Sequence, residues 1–437
     1  MSTINSKRQL ANGISAFAVA AALMVATPAY GQNVTATLQG RVEGAAAGTQ
    51  VVATDTNTGR SQSATVDAAG NYEILGLNPS TYTVTVAGRD AQQTTLLVGQ
   101  TAIVDFVQAP PAGGAVVVTG RRVREVRTQT VSTNITPAQI ENLPQNKRNF
   151  LSFAALAPGV QVTPGDNAQV QAGGVASQFT NVFLDGMSFK NPINHGGVFG
   201  QNFGLGNPFP QVAVQEYVVE TQNFGAETGQ AGSAVISAIT KTGGNDFHGS
   251  AFIEFQPKKF IEQPYFDKKN NAPKPDYNRK QFGGEIGGPI IPGKIHFYLA
   301  AEGTNQLRPT STGTVNVARF PQTLTALTNV SKGEDFKQRL YFGKLTGYVT
   351  DEDTVNLIGY LRREDNLADI SGNALPSHGR RIRTEQDRYQ LQWRHNAGEF
   401  LNQLNISYDK ATQDTPSVEP GPELVLLNPG NPDNVAF

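Results

Sequence analysis

Four segments in the C-terminal half of the chain alternate apolar and polar residues, and this two-residue period restricts the fold more than any other feature. Over residues 247–256, Phe247, Gly249, Ala251, Ile253 and Phe255 alternate with His248, Ser250, Phe252, Glu254 and Gln256. Over 294–302, Ile295, Phe297, Leu299 and Ala301 alternate with Lys294, His296, Tyr298, Ala300 and Glu302. Tyr389, Leu391 and Trp393 oppose Arg388, Gln390, Gln392 and Arg394, and Leu404, Ile406 and Tyr408 oppose Gln403, Asn405, Ser407 and Asp409. Side chains on a strand point to its two faces in turn, so each run is a strand that is apolar on one side only. Runs of about ten such residues build a membrane barrel, apolar outward around a polar lumen, or a soluble sandwich with the apolar face inward. Aromatic residues at strand ends (Phe255, Tyr298, Tyr408) favour the barrel. The polar stretch 256–280, with Lys258, Lys259, Lys268 and Lys269, reads as an extracellular loop.

The N-terminus sets the compartment. Lys7 and Arg8 precede an apolar stretch of signal-peptide length at 14–26, and Ala29-Tyr30-Gly31 supplies small residues for cleavage after Gly31. No later apolar run is long enough for a helical membrane span. The absence of cysteine excludes disulfide frameworks, CxxC zinc sites and thiol catalysis. Thirty-five basic against 36 acidic residues give a net charge of -1, which argues against a general nucleic-acid surface. An exported chain of this composition is periplasmic, secreted or outer-membrane.

Between the leader and the alternating segments lie two further parts. Residues 33–108 contain short strands separated by Gly, Asn and Pro, the pattern of a small sandwich. A Pro/Gly linker at 109–114 leads to the β-branched run Val116, Val117, Val118, Thr119, followed by Arg121, Arg122 and Arg124. A β-branched run between flexible residues suits a segment that adds as a strand to another protein's sheet, and equally an edge strand of the next domain.

The segments LQGRV, VVATDTNTGR and TVDAAGNYEILGLNPSTYTVTV resemble the carboxypeptidase-regulatory-like domain. None of His195, His248, His296, His378 and His395 starts an HxxE or HExxH pattern, so no peptidase site accompanies it. VVVTG (116–120) resembles the TonB box of TonB-dependent outer-membrane receptors. RNFLSFAALAPGV (148–160) is similar to an early segment of their plug, and NVFLDG (181–186) to its strand and turn. EYVVETQNFG (216–225) and ETGQAGSAVISAITKTGG (227–244) look like the final plug strands, and NDFHGSAFIEF (245–255) like the entry to the first barrel strand. QFGGEIGGP (281–289) with KIHFYLAAEG (294–303) is similar to the Oar-like subgroup.

The resemblance implies a mainly β chain: a small N-terminal β-sandwich, an α+β plug domain, and the first strands of an incomplete transmembrane antiparallel β-barrel. The expected boundaries are 1–31 for the signal peptide, 32–109 for the sandwich, 110–245 for TonB box and plug, and 246–437 for the N-terminal part of the barrel. Residues 246–437 offer room for about eight strands against about 22 in a closed transporter barrel, so the expectation is an N-terminal fragment or a truncated product. The implied partners are TonB, with ExbB and ExbD, and outer-membrane lipid. TonB would grip Val116, Val117, Val118 and Thr119 and pull on the plug, whose glycines (Gly173, Gly174, Gly196, Gly197, Gly204, Gly206) would yield. The ligand class stays open among siderophore, carbohydrate, vitamin and peptide. The candidate ligand contacts are Asn191, Asn194, His195, Phe199 and Asn202 of the plug apex, with Asp185, whose simplest role is a tight turn. No cofactor, metal site or catalytic constellation is expected. Glu216, Glu220 and Glu227 fall in plug-strand segments, which argues against the carboxylate pair of a glycosidase. The alternative function is an exported β-rich adhesin or binding protein without transport.

Overall fold

The computed structural model describes residues 34–107, 124–125, 130–145, 147–163, 168–190, 206–225, 228–263, 265–269, 274, 276–309, 333–370, 378–397, 400–421, 425–426 and 435–436. Val116, Val117, Val118, Thr119, Asn191, Asn194, His195, Phe199 and Asn202 lie outside the described residues, as does the leader.

The N-terminal module is a two-sheet sandwich. Its strands are β1 (Ala36–Arg41), β2 (Gln50–Asp55), β3 (Ser61–Thr65), β4 (Asn71–Leu77), β5 (Ser80–Val86), β6 (Gln92–Leu96) and β7 (Thr101–Ile103). One sheet runs β4-β1-β7, with the short β8 (Arg124–Glu125) added at the β7 edge; the other runs β3-β2-β5-β6. Leu38, Val51, Ala53, Val84, Leu96, Ala102 and Phe106 are buried between the two sheets. The Tyr72 hydroxyl, buried with them, donates to the Val104 carbonyl at 2.7 Å. Gly40 has no substitute here, because a Cβ would lie 1.9 Å from that same carbonyl oxygen.

The plug follows. β9 (Val131–Ile135) leads into a helical turn, Pro137–Asn142, begun by a capping box between Thr136 and Gln139. A 3-10 segment, Phe150–Leu156, is capped by Asn149 and packs on the hairpin of β10 (Val160–Val162) and β11 (Val170–Ala172). β12 (Asn181–Leu184), β13 (Met187–Ser188), β14 (Val214–Gln222) and β15 (Val235–Thr240) complete a mixed sheet of order β13-β12-β15-β14-β9. Every residue of β15, VISAIT, is buried, as a central strand covered on both faces requires.

The third body is a seven-stranded antiparallel sheet in sequential order: β16 (His248–Pro257), β17 (Asn278–Ile291), β18 (Ile295–Pro309), β19 (Gly333–Tyr348), β20 (Asp353–Ala368), β21 (Arg380–Ala397) and β22 (Phe400–Asp414). The sheet is open, with β16 and β22 as its two edges. The structure resolves the direction that alternation leaves open. Ile253, Phe255, Leu299, Leu357, Tyr389, Leu404, Ile406 and Tyr408 are exposed on the outer face. Gln281, Glu302, Thr304, Gln338, Lys344, Arg362, Glu364, Gln386 and Arg388 are buried on the inner face. Leu299 is 51% exposed while its neighbour Tyr298 is 0% exposed. Apolar outward and polar inward is the arrangement that lipid demands of a barrel wall, and the reverse of a soluble sandwich. No helix among the described residues is long and apolar enough to cross a membrane.

Candidate functional site

The plug seats against the inner wall through three sets of contacts, each carried by residues far apart in sequence. The first is the Asp185-Gly186 turn. Its backbone has positive φ at both positions, 46° and 80°, which gives the tight turn between β12 and β13. The Asp185 carboxylate accepts from the Thr240 amide at 2.9 Å and from the Thr240 hydroxyl at 2.6 Å. Lys344, on β19 of the wall, lies 3.7 Å from that carboxylate and donates to the Thr240 hydroxyl oxygen at 3.1 Å. Gln390 and Gln392 of β21 donate to the Asp185 carbonyl. With every oxygen of Asp185 engaged, the residue pins plug to barrel.

The second set holds the residues on either side of 191–205. On one side the Arg388 guanidinium lies 3.8 Å from the centroid of the Phe189 ring, donates to the Ser188 carbonyl at 3.1 Å, and is ion-paired to Asp409. On the other, the Asn207 amide donates to Gln338 at 3.0 Å, and Gln338 donates back to the Asn207 carbonyl at 2.9 Å. Gln338 is itself held by Glu364, to which Arg362 donates at 2.6 Å. Between the two sides, Phe189 and Phe209 pack on Tyr360, and Phe209 also meets Phe342, with centroid separations of 5.1 to 5.7 Å. The third set centres on Arg148 of the RNFLSF segment, 3.4 Å from Glu254 and 3.9 Å from Glu302, with its guanidinium over the Phe252 ring. Glu302 also accepts from the Val212 amide at 2.8 Å.

At the sandwich, Glu216 of β14 is buried and accepts from the Val98 amide at 2.6 Å. Burial pushes its carboxyl up to about 7, and the Val98 hydrogen bond only partly opposes the shift. Glu220 lies farther along β14, opposite Ser132 of β9, and Glu227 is outside the described residues. Among the described residues, no group of three His, Asp or Glu is placed to hold a metal ion.

The family described as outer membrane beta barrel domain matches residues 239–415. The TonB-dependent transporter Oar of Myxococcus xanthus is 29% identical over 398 residues, 82% of this chain. The chain thus carries an outer-membrane barrel domain and is similar to a TonB-dependent outer-membrane transporter. Its place is the outer membrane. The chain spans 35% of the length of that Oar transporter. The outer-membrane transporter YddB from Escherichia coli superposes with a TM-score of 0.50 at 12% identity, over 64% of this chain and 38% of that one. The siderophore receptor PirA from Acinetobacter baumannii reaches 0.48 at 19% identity, over 65% and 40%. The relatives are transporters and receptors rather than enzymes.

The fold thus brings Asp185 to the plug–barrel seam. Lys344, Gln338, Arg148, Arg388 and Glu216 escape a reading of the sequence as functional residues. Their only signal is a polar side chain on the inward face of an alternating strand, or in a plug segment.

Proposed function

We propose that the protein takes up a ligand across the outer membrane with energy delivered by TonB, together with ExbB and ExbD. The domain boundaries proposed are those set by the motifs: sandwich to 109, TonB box and plug over 110–245, barrel from 246. The observation that carries this reading is the seating of the plug. It is held to the wall by breakable polar contacts, Asp185 to Lys344 and Asn207 to Gln338, instead of by a covalent or wholly apolar junction. Polar contacts of this kind are individually worth about 1 kcal/mol net, so directed force can release them one after another. The segment Val116, Val117, Val118, Thr119 lies between sandwich and plug in sequence, where a strand-adding partner would pull on the plug at β9, the edge strand of its sheet. Asn191, Asn194, His195, Phe199 and Asn202 are proposed to meet the ligand, on a loop whose feet Arg388 and Gln338 fix. Asp185 is proposed as a structural pin. Deletion of residues 116–119 tests the reading: TonB-dependent growth under iron or carbon limitation should be lost while outer-membrane abundance is kept. Undiminished growth in the deletion strain would defeat the proposal.

A further inference from the structure

The N-terminal sandwich does not stand apart from the receptor; it lies across the periplasmic ends of both plug and barrel. Arg60 donates to the Thr350 and Asp351 carbonyls of the β19–β20 turn at 2.9 and 3.0 Å, pairs with the Asp351 carboxylate at 3.2 Å, and lies over the Tyr348 ring. Asn396, at the β21–β22 turn, donates to the Leu75 carbonyl at 2.6 Å and to Gln62 at 3.2 Å. Arg394 donates to Asn78 at 2.8 Å. Asn245, just before β16, donates to the Asn57 and Thr58 carbonyls at 3.0 and 2.7 Å. The same module grips the plug: Val98 bonds to Glu216 of β14 and to Asn134 of β9, and Pro79 to Gln215. Between the three bodies lies a cavity of about 660 Å³ whose wall includes Asp185 and Lys344. The plug's pin to the barrel is therefore behind the sandwich as seen from the periplasm.

We propose that the sandwich is a periplasmic cap, and that it must leave the barrel turns before the plug can move. The inference deepens the transport reading and rests on it for its purpose. Three observations carry it. The contacts span two barrel turns and the β16 entry, so they tie the sandwich to the stationary wall. Others tie it to β9 and β14, the strands nearest the linker that force would enter. Most of these hydrogen bonds are partly solvated, and the apolar cluster beside them (Val98 on Val218 and Ile239) is small, so the interface can separate. A pull on the linker reaches the sandwich and the plug together, since the linker joins them.

Hydrogen exchange on the full chain in detergent tests this without ligand or TonB. Arg60→Ala with Asn396→Ala removes barrel contacts while leaving both cores intact. Gln62→Cys with Asn396→Cys, in a chain that has no other cysteine, ties sandwich to barrel when oxidised. The loosened variant should exchange the Val98 amide and the β9 and β14 amides about tenfold faster or more, the loss expected for several hydrogen bonds. The oxidised tie should exchange those plug amides more slowly than its reduced form. If Val98 speeds up while β9 and β14 do not, the sandwich is a passenger and the cap is refuted; unchanged rates throughout refute the docking itself. Failure of transport would appear separately, in the growth of the 116–119 deletion strain.

Discussion

At the scale of single residues, two buried charges report on how the plug is held. Glu216 is pushed up to about 7 by burial against the sandwich, from an ordinary value of 4.5. Between those values the docked carboxyl keeps a proton that a water-exposed one has lost. The sign follows: docking is strongest at low pH and weakens as pH rises from 4.5 towards about 7, by at most about 3 kcal/mol. Glu216→Gln should reduce that dependence, as read from thermal unfolding of the chain between about pH 5 and about pH 8. A parent whose midpoint is flat across this window, or a variant that keeps the parent's slope, would count against the assignment. Asp185 and Lys344 form the second case. Removing one partner of a buried pair leaves the other charge uncompensated, at a cost of about 3 to 5 kcal/mol. Asp185→Ala should therefore speed exchange of the β12 and β15 amides by more than a hundredfold, whereas substitution of the exposed Asp351 should leave them unchanged.

At the scale of elements, the alternating strands were legible because a two-residue period is local. The face that meets lipid was not, because the same period serves a sandwich and a barrel, and only the buried polar row (Gln338, Lys344, Arg362) beside the exposed apolar row decides. The sandwich shows the opposite failure. β3 (SQSAT) and β6 (QQTTL) carry few apolar residues, since both are edge strands half open to water, and so nothing marks them in sequence. The Asp185-Gly186 turn was readable from its residue types, but its anchoring to Thr240 and Lys344 was not, because those partners lie far away in the chain. The lipid-facing assignment makes its own prediction. Leu299→Arg, at the fifth residue of β18 on the outer face, should cost about 2 to 4 kcal/mol of folding into bilayers, measured by denaturant titration in lipid vesicles. Equal stability of that variant would place Leu299 away from lipid.

At the scale of the whole molecule, three bodies form one line of force: a sandwich against the periplasmic turns, a plug pinned to the wall, and a wall apolar on its outer face. Buried polar side chains (Asp185, Lys344, Gln338) join plug to wall beside an apolar core that the two share, while the sandwich keeps a core of its own. Under the proposed function, a pull at one segment would displace the plug while the strand ladder of the wall stays paired. The most direct measurement is disulfide cross-linking between Val117→Cys, in this otherwise cysteine-free chain, and single cysteines along the interacting strand of the TonB periplasmic domain. The account predicts cross-links that alternate with the two-residue period of a paired strand and disappear when residues 118–119 are replaced by Pro-Gly. Absence of cross-linking, or cross-linking indifferent to that replacement, would contradict it.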